Sequence, residues 1–226
     1  MNFMKWNPAN PTPDGALETY DIAIRERAKL PESVKSASVR LSLADEWMLS
    51  VSVQVTGMEK AWTLSRAIGM FPDSDEAKLQ AGAIALNAVG TFAEDFDAAA
   101  EAMNAIETWD GDNDARKAVI DRDSMMSPAY YFRILNRIGL TVSCDDSIPE
   151  KYAAAVTYGT ENGPDTGFRF AVDAGDIDKA KDAAAKAAAV CLENIGNDIR
   201  ILYELLEGVA ESKNDMSEKL PRLLSA

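Results

Sequence analysis

Histidine is absent from the 226 residues, and cysteine occurs only at Cys144 and Cys191. The first absence removes Ser-His-Asp and Cys-His nucleophilic sites, His-ligated zinc and imidazole general bases together. The second leaves no disulfide framework and no C-x-x-C pair, so both cysteines read as small apolar residues of a reducing cytosol. No apolar run approaches the ~20 residues of a membrane-spanning helix, and no membrane association is expected. The opening MNFMKWNPANPTPDG has neither the basic start nor the apolar stretch of a secretory signal. Phosphate-cradling loops are missing as well. Gly159, Gly163 and Gly167 recur in GTENGPDTG, but without G-x-G-x-x-G spacing or a following Lys-Ser/Thr. The expected location is the cytoplasm, or a particle assembled there.

Basic residues are scarce: 23 Lys and Arg stand against 37 Asp and Glu, for a net charge of −14. Phosphate affinity depends on clustered basic side chains, so nucleic acid is a disfavoured partner. The deficit is local. Residues 1–72 are balanced, with 8 charges of each sign, whereas residues 73–115 hold 11 acidic side chains and one basic one, Lys78. With 47% hydrophobic and 27% charged residues the composition is that of a globular chain. Its length suffices for a sizeable core.

Periodicity predicts an α+β fold, predominantly α-helical. Residues 1–13, with Pro8, Pro11 and Pro13, read as an extended arm, 14–210 as one globular domain and 211–226 as a polar tail. Leu17, Tyr20 and Ile24 line one side of a first helix that Pro31 stops. Two runs then alternate: Ala37, Val39, Leu41 and Leu43 with serines and Arg40, and Leu49, Val51, Val53 and Val55 with Ser50, Ser52 and Gln54. These predict a hairpin around Asp45-Glu46-Trp47 whose strands are sheet edges. The first run also fits a helix through Val34, Ala37, Leu41, Ala44 and Met48. Ala61, Leu64, Ile68 and Phe71 form a helical stripe ending before Pro72. Asp73-x-x-Glu76 is a capping-box pattern for a helix closed by Gly90, and Thr91-x-x-Glu94 opens another, giving an acidic helical hairpin within 73–115. Ser127-Pro128 starts a helix through Leu135 and Ile138 to Gly139, with a short strand from Leu140 to Cys144 and a brief helix capped at Ser147. Val156–Gly159 and Phe168–Val172 read as a second hairpin, which joins the first in a small antiparallel sheet. Residues 176–209 form one long C-terminal helix, or two nearly continuous ones broken near Gly196, with an Ala-rich face that admits close packing.

Two acidic constellations carry candidate chemistry. Asp110, Asp112 and Asp114 occupy positions 1, 3 and 5 of a loop, with Asp121 at position 12, the pattern by which an EF-hand converges carboxylates on Ca²⁺. Position 6 is Ala115 where such a loop turns on Gly, and the competing reading is an Asx turn capping the next helix. Glu94, Asp95, Asp97 and Glu101 stand away from the Phe92/Phe96 stripe, as a solvated face, a docking surface for a basic protein, or carboxylates for Mg²⁺. The pairs Glu94/Asp97 and Glu107/Asp110 resemble, over about 17 residues, the E-x-x-D pairs of the all-α nucleotide pyrophosphohydrolases. The lysines that such a site needs near its phosphates are not in this block, so the resemblance brings no activity with it. The aromatic run Tyr130, Tyr131 and Phe132 beside Arg133 and Arg137 reads as core with snorkelling arginines rather than as a base-stacking platform.

These features favour a non-enzymatic structural or interaction protein, such as a virion or other assembly component. It would self-associate as a homo-oligomer or dock a basic partner through the acidic helical face. The alternative is a divalent-metal-dependent enzyme or calcium-responsive module built on the Asp-rich 110–121 loop, with Ca²⁺ or Mg²⁺ as cofactor.

Overall fold

A computed structural model describes residues 6–9, 16–23, 30–121, 135–160 and 166–211. Among them are ten strands and two helices, in the order β1 (Trp6–Pro8), β2 (Glu18–Ala23), β3 (Val34–Leu43), β4 (Trp47–Val55), β5 (Trp62–Gly69), α1 (Ser74–Asn104), β6 (Asp110–Gly111), β7 (Ala115–Asp121), β8 (Leu135–Cys144), β9 (Lys151–Thr160), β10 (Thr166–Asp173) and α2 (Ile177–Glu211). The strands form two separate five-stranded antiparallel meanders, β1 to β5 and β6 to β10, each neighbouring its successor in sequence. The molecule is therefore mostly β, and the expectation of a predominantly helical fold is wrong.

The errors have one physical source. An apolar run with ambiguous spacing becomes a strand when a neighbouring strand satisfies its backbone groups, and that neighbour is distant in sequence. Tyr20 and Ile22 pair with Leu41 and Val39, so the expected first helix is strand over Glu18–Ala23, while its residues 24–29 lie outside the described residues. Leu64 and Ser65 pair with Val51 and Ser50, so the stripe before Pro72 is β5. Flanked by β2 and β5, the strands β3 and β4 are interior and not edges. Leu135 to Gly139 is strand paired with β9, while residues 127–134 lie outside the described residues. Turns replace the brief helix at Ser147, and the two expected hairpins, β3–β4 and β9–β10, belong to different sheets. Gly90 does not break α1, and α2 runs unbroken through Gly196, the one-helix alternative. Asp73 does cap α1, its Oδ1 accepting from the Asp75 and Glu76 amides at 2.9 Å each. The N-terminal arm contributes β1, which pairs with β2; the polar tail beyond Glu211 lies outside the described residues.

The chain is two copies of one unit, a five-stranded meander followed by a long helix. The correspondence reaches individual residues. In α1 the buried positions Ala77, Ala81, Ala85, Val89, Phe92, Phe96, Ala99 and Met103 each stand 103 residues before Ala180, Ala184, Ala188, Leu192, Ile195, Ile199, Leu202 and Leu206, all buried in α2. The first turns match too: Asp75–Lys78 at 3.2 Å and Asp178–Lys181 at 3.1 Å are the same ion pair at the same offset. Each third strand opens with an irregularity at the equivalent place, Val34/Ser36 in β3 and Leu135/Arg137 in β8.

The two helices pack on each other and form the layer on which both sheets close. Contacts of Gly90 with Tyr203 and of Gly196 with Asp97 show that they run in opposite directions. A Cβ on Gly196 would stand 3.3 Å from the Ala93 carbonyl oxygen, so glycine there sets the closeness of the crossing. Aromatic rings thread the layer from one sheet to the other: Trp62–Phe92 at 5.5 Å, Phe92–Phe96 at 5.3 Å and Phe96–Tyr158 at 5.6 Å. Offset aromatic pairs of this kind stabilise beyond their buried area. No helix among the described residues is long and apolar enough to cross a membrane.

Candidate functional site

The acidic residues divide by the face of α1 on which the helical period puts them. Glu94 and Glu101, two turns apart, are exposed on the same side. Asp95 is buried, and its Oδ2 accepts the Leu135 backbone N–H at 3.0 Å, at the first residue of β8. Its counterpart in α2, Asp198, accepts the Ser33 N–H at 2.8 Å, just before β3. Each helix thus lends a carboxylate to the sheet of the other unit. That reciprocal exchange is what two-fold symmetry produces at an interface. Asp97 is half-buried and ion-paired with Arg200, again its own counterpart 103 residues on. The four carboxylates therefore do not share one surface: two are exposed and two join the halves.

The Asp-rich loop is a β-hairpin turn rather than helix–loop–helix. Asp110 and Gly111 pair with Lys117 and Arg116 across it. Asp112 Oδ1 accepts the Asp114 and Ala115 amides at 2.9 and 3.2 Å, the Asx-turn geometry, though a strand and not a helix follows. Those two backbone amides hold the Asp112 carboxyl below the usual carboxylate range. β7 then runs extended, so the Asp121 backbone lies roughly 20 Å beyond Ala115 at 3.3 Å per residue, on the far end of the strand. The turn and Asp121 cannot converge as an EF-hand does. Among the described residues no group of three or more His, Cys, Asp or Glu is placed to hold a metal ion. Glu107 and Asp110 follow the end of α1, so the second E-x-x-D pair is not helical. Of the aromatic run, Tyr130 to Arg133 lie outside the described residues; Arg137 is exposed on β8.

Neither thiol is activated. Cys144 is exposed, with desolvation and the nearby Asp146 carboxylate raising its pKa, and burial raises that of Cys191. Tyr158 is fully buried, its hydroxyl donates to the Thr56 carbonyl, and burial raises its pKa. It ties β9 to the turn after β4, where Gly57 has φ +86° and a Cβ would come within 2.7 Å of the Gly167 oxygen.

What remains is the outer surface of the helix layer, which carries a feature absent from the expectations above. Val190 is 55% exposed and Ile201 46% exposed, two large apolar side chains on one face of α2. Between them Asn194 and Asn197 are exposed, and Ala183 and Ala187 extend the same row towards the N-terminus. The spacing of this row alternates four and three residues, the seam of a helix that packs on another helix. The signal is present in the sequence but is masked by the stronger Ala-rich row that is buried. No family model matches the chain, and no curated protein and no solved structure matches it either.

Proposed function

We propose that the protein is a non-enzymatic interaction protein, a self-associating component of a larger assembly formed in the cytoplasm, with the helix layer as its contact surface. The observation that carries this reading is the pair Val190 and Ile201, left in solvent on a helix whose opposite face is buried against α1 and the strands. Exposed apolar residues scattered singly are ordinary, but two on one seam of one helix form a partner-facing row. Docking of a basic partner now rests on Glu94 and Glu101 alone, since Asp95 and Asp97 are engaged within the fold. Self-association is accordingly favoured over a basic partner. The metal-dependent alternative loses its geometric basis with Asp121 at the far end of β7.

Sedimentation velocity on the full chain over a hundredfold concentration range tests the reading. The expected result is a boundary that moves faster as concentration rises. A single monomer boundary throughout refutes self-association.

A further inference from the structure

We infer that the outer seam of α2 is an isologous docking surface for α2 of a second copy of this chain, packed antiparallel. This rests on the self-association proposed above and names its surface and register. Charge decides the register. Beside the apolar row, exposed Lys186, Glu193, Arg200 and Glu207 follow one another every seven residues on a single flank, alternating in sign. In an antiparallel pair related by a two-fold axis near residues 195–196, Val190 meets the partner's Ile201 and Ile201 meets the partner's Val190. Asn194 then faces the partner's Asn197, whose Oδ1 already accepts from Arg200 Nη1 at 2.7 Å and whose amide N–H groups are left to donate to the Asn194 carbonyl oxygen. With the same axis, Lys186 stands against the partner's Glu207, and Glu193 lies beside the partner's Arg200, whose guanidinium is also ion-paired with Asp97 of its own chain, so the outer Lys186–Glu207 contacts carry the register. All four flank contacts of the symmetric dimer join opposite charges, and both large apolar residues find an apolar partner.

A parallel pair has no such match, because the charged flank would then face the partner's other flank, where Ala184, Cys191, Asp198 and Leu205 stand. The internal duplication supplies a control within the same molecule. On α1 the residues corresponding to Val190 and Ile201 are Asn87 and Ala98, and those corresponding to the four charges are Ala83, Gly90, Asp97 and Asn104. The shared fold therefore does not require an apolar, sign-alternating seam; it occurs on α2 alone. The axis passes close to Gly196, so the middle of α2 meets α1 on one face and the second copy on the other.

Charge reversal at the outer pair tests this, because Lys186 and Glu207 are exposed and have no ion pair with a described residue. Lys186→Glu and Glu207→Lys each put like charges together at both ends of the dimer. Each is expected to weaken association roughly tenfold while leaving the melting temperature of the monomer unchanged. An equimolar mixture of the two restores opposite charges at every contact and is expected to form a heterodimer at concentrations where neither variant self-associates. The double variant K186E/E207K should dimerise like the unmodified chain. If the unmodified chain associates but neither single reversal weakens it, or the mixture stays monomeric, this surface is wrong while self-association stands. If the unmodified chain is monomeric throughout, both readings fail. Val190→Asp provides a second variant, expected to abolish the dimer through the apolar contact.

Discussion

Removing the Asp95 carboxylate is the most informative perturbation of the fold, because that group joins the two units through a buried bond from α1 to β8. In Asp95→Ala the Leu135 N–H, at the first residue of β8, loses the acceptor that Oδ2 provides at 3.0 Å. Hydrogen bonds to charged groups contribute about 1.5–3 kcal/mol, and a buried donor left without a partner costs about 1–3 kcal/mol. These describe one loss from two sides, so the expected destabilisation is about 2–3 kcal/mol. For a chain of this size that lowers the melting temperature by roughly 5–10 °C. Asp95→Asn keeps an acceptor oxygen at the same place and should cost about 1 kcal/mol, since only the charge assistance is lost. Asp198→Ala should also cost about 1 kcal/mol, because its bond to the Ser33 N–H is only part-buried and water can replace the carboxylate. Urea unfolding of the three variants, with amide exchange at Leu135 followed in parallel, gives the order D95A worst and the other two milder. Equal stability of D95A and the unmodified chain, to within about 0.5 kcal/mol, would refute the claim that this carboxylate welds the halves.

Two helical glycines should respond oppositely to alanine. Gly82→Ala meets no atom within 4 Å and should stabilise by roughly 0.5–1 kcal/mol, whereas Gly196→Ala pushes a Cβ against the Ala93 carbonyl at the helix crossing and should destabilise by about 1 kcal/mol; the same sign in both would contradict the crossing geometry. Tyr158 keeps its proton in the fold above the pH, about 10, at which an unfolded tyrosine loses it. The unfolded state then binds fewer protons, so this contribution is complete below pH ~10 and falls as pH rises further; Tyr158→Phe, measured by denaturation between pH 8 and 11, should flatten that decline. Melting temperatures in EDTA and in millimolar Ca²⁺ or Mg²⁺ should coincide. A site at 100 times its dissociation constant adds roughly 2.7 kcal/mol, so a rise of several degrees would restore the metal reading.

How legible the fold was depended on where each element finds its hydrogen-bonding partner. β3 and β4 alternate strictly because one face is buried by the helices and the other is solvated, and α2 and the Asp73 cap were readable because helical bonds and caps are local. β5 failed because Arg66 interrupts the alternation of Trp62, Leu64 and Ile68, leaving a spacing that also fits a helix. Gly90 looked like a stop because helix propensity counts its missing side chain as a cost; in the fold that gap admits the Tyr203 ring, which would lie 3.4 Å from a Cβ. The duplication left no sequence period. Alanine is retained at 77/180, 81/184 and 85/188, but Phe92 answers to Ile195 and Met103 to Leu206, and unequal loops shift the strands by other amounts than the helices. Burial is what the two units share, and many apolar residues satisfy it. At the acidic block composition located the charge, but only the contacts of α1 with β8 and α2 separate Asp95 and Asp97 from Glu94 and Glu101.

Zero-length cross-linking addresses the central claim, antiparallel pairing of two copies through α2, at the contact itself. A carbodiimide joins a lysine amine to a carboxylate only when the two touch. Within one copy Lys186 and Glu207 are 21 residues apart on a continuous helix, roughly 31 Å at 1.5 Å per residue, so no internal link between them can form. A cross-linked dimer whose digest yields a Lys186–Glu207 peptide pair is the predicted result. A dimer linked only through other residues, with that pair absent, would contradict it.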